Sequence, residues 1–117
     1  RSLTPHAVFT SPQIGSVGAT QQALDNAGTD YLVGQQEYRN TAYGWALEDE
    51  DGFCKVLVDP DTRLLLGAHV MGPMAASMVQ LLVQGMAAGQ TVDELARAQQ
   101  YIHPAPTELI EQALLDV

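Results

Sequence analysis

Apolar residues fall in short strand-like runs through the first two-thirds of the chain and recur at helical spacing in the last third. HAVFT (6–10) is closed by Ser11-Pro12, IGSVGA (14–19) alternates with small residues, and YLVGQQEY (31–38) is a third candidate strand. Between the last two, Thr20 is placed to cap a short helix, QQALDNA, which Gly28 ends. TAYGWALEDEDG (41–52) predicts a loop or irregular strand with an acidic tip from Glu48 to Asp51. GFCKVLVDP (52–60) and LLLGAHVMG (64–72) predict a hairpin around Asp59-Pro60-Asp61-Thr62, because Pro after Asp starts a type I turn readily. Val56, Val58, Leu64, Leu66 and Val70 are its core candidates.

The helical pattern begins after Gly72. Pro73 suits a first turn, where its missing N–H costs nothing, and predicts a helix over about 74–88 that Gly89 ends. Met78, Leu82 and Met86 recur at spacing four with Val79 and Val83 beside them, so most of the circumference is apolar. That predicts burial on more than one side, with a second subunit supplying part of the cover. Thr91-Val92-Asp93-Glu94 has the capping-box pattern and opens a short helix through about Gln99. A last helix starts at Pro106, with Ile110, Ala113, Leu114 and Val117 on one stripe. The order of elements predicts one α+β domain over residues 1–117, mainly an antiparallel sheet packed with helices.

Composition sharpens this picture. The chain has 117 residues, 46% of them hydrophobic, enough for one core and too few for two domains. Only 16% are charged, against roughly 25% in an average soluble domain, which again suggests a subunit-facing surface. Five Lys+Arg against fourteen Asp+Glu give a formal charge of −9, which argues against nucleic acid and against anionic membrane surfaces as partners. No Asp, Glu, Lys or Arg occurs from Leu64 to Val92, but Gly72-Pro73 interrupts the stretch and Gln80 and Gln84 lie in its helical part, so a strand and a helix fit better than a membrane span. The one cysteine, Cys54, excludes an internal disulfide and a paired-cysteine zinc site, and a reducing cytoplasm fits it. No basic n-region with an apolar h-region opens these residues, so no signal peptide is expected from them.

Candidate chemistry centres on HPAPTE. His103 precedes a proline and so lies on extended chain, and Glu108 follows five residues later at the mouth of the last helix. A cis His103–Pro104 bond would turn the imidazole back toward Glu108. A carboxylate on one ring nitrogen fixes the tautomer and aims the other nitrogen outward, as a general acid–base histidine requires. The same spacing also fits a surface histidine before an acidic helix start. His69 reads as a hydrogen-bonded core or interface residue, His6 as structural, and Cys54 as a small buried hydrophobe. A metal site of all three histidines has no supporting spacing. Tyr43 and Trp45 fit a ligand cleft or a plug at the edge of the core equally well. The chain lacks GxGxxG, GxxxxGK and GxSxG, so it does not complete a redox or hydrolytic site by itself.

PHAVFTSPQIGSVGAT, GFCKVLVDPDTRLLLGAHVMGP, AAGQTVDELA and HPAPTE, in that order and over almost the whole chain, resemble the C-terminal dimerisation (interface) domain of the pyridine nucleotide–disulfide oxidoreductases. The resemblance implies that family's dimerisation-domain fold and a homodimer, with this domain packed beside FAD- and NADPH-binding domains of a parent enzyme. It implies that His103 is the acid–base and Glu108 its orienter, serving a redox cysteine pair of the partner subunit. The His103–Pro104 backbone would face the flavin, and Thr41, Tyr43 and Trp45 would border the cleft for a low-molecular-weight disulfide substrate. FAD and NADPH are expected in the full-length enzyme and neither in this fragment, which is expected to be inactive alone. Where the family commonly has HPTxSE, Ala105 and Thr107 stand in place of the Thr and the Ser. Within the family, TAYGWALEDEDGFCK and YIHPA are most similar to the mycothione reductase branch. Leu109 makes a glutathione reductase less fitting, and the ending LLDV, without a cysteine pair, disfavours mercuric ion. A different disulfide reductase, such as the dihydrolipoamide dehydrogenase or glutathione reductase type, or a noncatalytic dimerisation module, is the other reading.

Overall fold

Alternation along the strands divides the sheet into a wet face and a dry one. The computed structural model describes residues 3–117. Its strands are β1 (His6–Val8), β2 (Ile14–Gly18), β3 (Leu32–Glu37), β4 (Phe53–Val58) and β5 (Leu65–Met71). They form one antiparallel sheet in the order β1-β2-β5-β4-β3. The register sets Val17 opposite Ala68 and Ala68 opposite Val56, and all three are fully buried. One residue along, Ser16, His69 and Lys55 form a row on the other face and are only half-buried.

Two helices cover the dry face. Helix α3 (Ala75–Ala87) lies on β2 and β5, and α5 (Glu108–Leu115) lies on β3 and β4. Glycines permit both approaches. A Cβ on Gly15 would stand 2.7 Å from the Ala75 carbonyl oxygen, and one on Gly34 would run into the carbonyl of Ala113. Leu82, Leu109 and Ile110 are fully buried in the resulting core. The short α1 (Gln21–Asn26) is capped by the Thr20 side chain, which accepts from the Ala23 N–H.

The hairpin between β4 and β5 forms as its sequence predicts, with Asp59 as the fastener. Its Oδ1 accepts from the N–H groups of Asp61 at 2.8 Å and Thr62 at 3.0 Å. Arg63 adopts φ 62°, and its guanidinium grips Asp93 through two bonds of 3.0 and 2.9 Å, tying the hairpin to α4 (Val92–Arg97). The capping box of α4 is complete, with Thr91 and Glu94 each accepting from the other's backbone N–H.

Two expectations need correction. Residues 42–46 are helical rather than loop or strand: α2 (Ala42–Ala46) follows a 3₁₀ turn at Tyr38–Asn40. Pro73 lies outside α3, which begins at Ala75 after Met74 takes a left-handed conformation at φ 64°. Within this chain α3 is buried on one side only. Ala75, Met78, Val79, Leu82 and Met86 face the sheet, while Ser77, Gln80, Gln84 and Ala87 face outward. Among the described residues, no helix is long and apolar enough to cross a membrane.

Candidate functional site

Helix α5 fixes the carboxylate of the HPAPTE segment before the histidine is considered. Leu109, Ile110, Ala113 and Leu114 are 0–2% exposed and hold the helix against the sheet. The winding starts with tight turns, Glu108 N–H to the Ala105 carbonyl and Leu109 N–H to that of Pro106, so the α-helix proper begins at Glu108 rather than at Pro106. Glu108 is therefore at the first helical position instead of the third, still within reach of the unpaired N–H groups of the helix start. Among the described residues it is one of two buried polar or charged side chains, the other being Thr41.

His103 reaches this carboxylate. The His103–Pro104 peptide is cis. Nδ1 of His103 lies 2.8 Å from both Oε1 and Oε2 of Glu108. The histidine side chain is 69% exposed and the glutamate side chain 10%, so a buried anchor carries an open ring. A carboxylate only accepts, so Nδ1 carries the proton and the neutral ring presents the Nε2 lone pair away from Glu108. The backbone N–H of Ala105 adds a 3.3 Å bond to Glu108 Oε1. Sequence reasoning missed Ala105 as a positioning residue, because a backbone donor leaves no mark in the side-chain pattern. The arrangement holds one imidazole in one tautomer, ready to give or take a proton at Nε2.

Thr41, Tyr43 and Trp45 sit together on and beside α2, on a different part of the fold. Thr41 is buried. Its hydroxyl donates to the Tyr38 carbonyl at 2.7 Å and accepts from the Gly44 N–H at 3.1 Å, which makes it the N-cap of α2. Tyr43 is half-buried and its ring stacks on Tyr38, centroids 6.1 Å apart. Trp45 stands 77% exposed at an open cleft of about 610 Å³, with Arg39, Ala46, Glu48, Asp49 and Glu50 as the other lining residues. Burial pushes the Tyr38 hydroxyl well above the ordinary tyrosine range, with the charges of Tyr43 and Asp49 adding to it.

The remaining candidates lie elsewhere in the fold. His69 Nε2 lies 2.9 Å from the Ala19 carbonyl, so it donates there and Nδ1 accepts from the Ser16 hydroxyl at 3.0 Å. His6 is exposed on the edge strand β1. No group of three or more potential metal-binding side chains converges among the described residues. Cys54 is fully buried, and burial pushes its thiol up to about 12.

Comparison with known proteins identifies the family of the fold. The family model described as "Pyridine nucleotide-disulphide oxidoreductase, dimerisation domain" matches residues 4–114. Mycothione reductase of Mycobacterium tuberculosis is 48% identical over 111 residues, which span 95% of this chain and 24% of that protein. Dihydrolipoyl dehydrogenase 2 of Haloarcula marismortui is 32% identical over 93% of the chain and 23% of its own length. Among solved structures, LpdA of Mycobacterium tuberculosis superposes with a TM-score of 0.90 at 25% identity, over 97% of this chain and 24% of that one. RclA of Escherichia coli, described as an HOCl-induced flavoprotein disulfide reductase in its Cu(II) complex, gives 0.87 at 27% identity over 98% of this chain and 26% of that one. The chain thus spans about a quarter of the length of the relatives it matches.

Proposed function

The chain belongs to the pyridine nucleotide-disulphide oxidoreductase dimerisation-domain family, and from that premise we propose that it pairs two subunits of a disulfide reductase and lends His103 to the partner's active site. The observation that carries the reading is the exposed His103 ring held at 2.8 Å by the buried Glu108 carboxylate. Such a ring serves a neighbour better than it serves its own domain, whose one thiol, Cys54, is sealed in the core.

On this reading the substrate is a low-molecular-weight disulfide, opened by attack of a thiolate from the partner's cysteine pair. His103 Nε2 takes the proton of the attacking thiol as it becomes a thiolate; a mixed disulfide forms as the substrate's S–S bond breaks, and the departing sulfur takes that proton from Nε2. The second thiol of the pair, deprotonated in turn by Nε2, attacks the mixed disulfide, so the second substrate sulfur leaves with that proton and the pair is left as a disulfide, while Glu108 keeps Nδ1–H in place throughout. Proton transfer of this kind contributes about 10²–10⁴-fold to rate. FAD and NADPH belong to the other domains of the parent. His103 and Pro104 are both exposed, which fits an edge open to the flavin ring. When bound, the flavin supplies the electrons that restore the cysteine pair. Trp45, with the cleft beside it, and Tyr43 behind it on α2, would border the substrate, and Thr41 would set their helix.

Identity of 48% to mycothione reductase against 32% to a dihydrolipoyl dehydrogenase supports a mycothione-type disulfide as the substrate. A cytoplasmic setting fits the lone reduced cysteine. The test is His103→Ala in the full-length protein. Disulfide turnover should fall about 10²-fold or more while flavin reduction by NADPH keeps its rate. Turnover near wild type would leave the domain as a dimerisation module without a part in the chemistry.

A further inference from the structure

Glu108 holds the His103 ring, but the main chain that carries the ring has few ties of its own. From Arg97 to Pro104 every residue is exposed except Tyr101, which is half-buried. Among the described residues, no backbone-to-backbone hydrogen bond involves residues 99–104. The Tyr101 hydroxyl supplies what the backbone does not, donating to the Leu95 carbonyl at 2.9 Å. That carbonyl lies in the last turn of α4, where carbonyls lack a partner within the helix. The tyrosine sits at a groove between α4 and α5, with Ala96, Arg97, Glu111 and Leu115 among the other lining residues. Helix α4 is a firm anchor for it. Leu95 and Ala96 are buried, the capping box closes its start, and Arg63 grips Asp93.

We propose that Tyr101 is a positioning residue for His103: its hydroxyl pins the chain to α4 two residues upstream of the histidine. Glu108 then sets how the ring is turned, and Tyr101 sets where the ring stands. The inference rests on the acid–base reading above and adds a residue that acts through His103. Two residues of chain span at most about 7 Å, so a shift at Tyr101 is passed on to His103. Ile102, between them, is 75% exposed and offers little packing to absorb it. Proton transfer needs Nε2 within hydrogen-bond reach of sulfur, and a displacement of about 1 Å costs up to about 10²-fold. Burial, and then the charge of Glu111, raise the Tyr101 hydroxyl above its ordinary value, so it stays protonated and donating at neutral pH.

The experiment is Tyr101→Phe in the full-length protein, which keeps the ring and removes the hydroxyl. Gln99 Nε2, 3.5 Å from the same Leu95 carbonyl, leaves that oxygen a partner, so the melting temperature should stay near wild type. The kcat for disulfide turnover should fall about tenfold, with KM and the rate of flavin reduction by NADPH unchanged. The same substitution in a His103→Ala protein should cause no further loss, because the residue acts through the histidine. An unchanged kcat for Tyr101→Phe would overturn the proposal. So would an equal fold-loss in both backgrounds, or a parallel loss of flavin reduction, since either marks a role in the fold at large. A His103→Ala protein with wild-type turnover would instead overturn the acid–base reading itself.

Discussion

Thr41 is the sharpest place to set structure against function, because one side chain has been assigned two jobs. Its hydroxyl caps α2 by accepting from the Gly44 N–H at 3.1 Å, and it donates to the Tyr38 carbonyl at 2.7 Å. Replacing Thr41 by Val keeps the shape and removes both bonds. The Tyr38 carbonyl retains the Thr41 N–H at 3.0 Å, so it is not orphaned. The Gly44 N–H is, and Gly44 is buried, so no water takes over. Loss of an N-cap costs about 0.5–2 kcal/mol, and burial of the stranded donor puts this case at the upper end, about 2 kcal/mol. For a domain of this size that lowers Tm by about 8 °C. Urea and thermal unfolding of the 117-residue chain, followed by far-ultraviolet circular dichroism, measure it. Thr41→Ser should stay close to wild type. A Val variant within about 0.5 kcal/mol of wild type would refute the capping argument, and a raised KM for disulfide without that instability would make Thr41 a substrate contact instead.

Two further outcomes follow from the packing and the charges. Gly34→Val places a side chain against the Ala113 carbonyl and should destabilise the domain by about 1–3 kcal/mol through overpacking, with hydrogen exchange rising first in α5 and hence around Glu108; uniform exchange across the sheet and helices would contradict this. Backbone N–H bonds from Thr62 and then Asp61 hold the Asp59 carboxyl below its ordinary 3.8, so the folded state binds its proton less readily than the unfolded state. Asp59 therefore contributes stability that is fully present above the ordinary Asp range and is lost as pH falls through its lower folded value. Asp59→Asn should flatten the acid limb of the stability–pH curve below pH 4, and an unchanged limb would count against the turn fastener.

Local rules read most of the fold, and the failures share a cause. The Asp59 turn, the Thr20 cap and the Thr91–Glu94 box are written in neighbouring residues, so each formed where the sequence put it. Helix α2 was missed because Tyr, Gly and Trp are poor helix formers over five residues. What holds it are close backbone contacts that the side-chain pattern does not show, Gly44 pressed onto the Tyr38 backbone and the Asp49 carboxylate closing on the Gly52 N–H at 2.7 Å. The Thr41 cap was the one local signal available. Similarly, the one-sided burial of α3 depends on what the rest of the chain places over it, which periodicity does not encode. At the site, a proline, a spacing of five and a helix start left the His103–Glu108 pairing as one of two readings, because the cis bond that turns the ring back is not written in the sequence, and the Ala105 N–H beneath it became visible only in three dimensions.

The central claim is that His103 acts across the subunit boundary, and hybrid dimers test it most directly. One full-length subunit carries His103→Ala and the other lacks the redox cysteine pair. If the histidine serves its partner, one of the two sites in each hybrid has an intact histidine and an intact cysteine pair, and mixing two inactive proteins should restore about half the wild-type disulfide turnover per dimer. Hybrids as inactive as either parent, although mixed dimers have formed, would contradict the account.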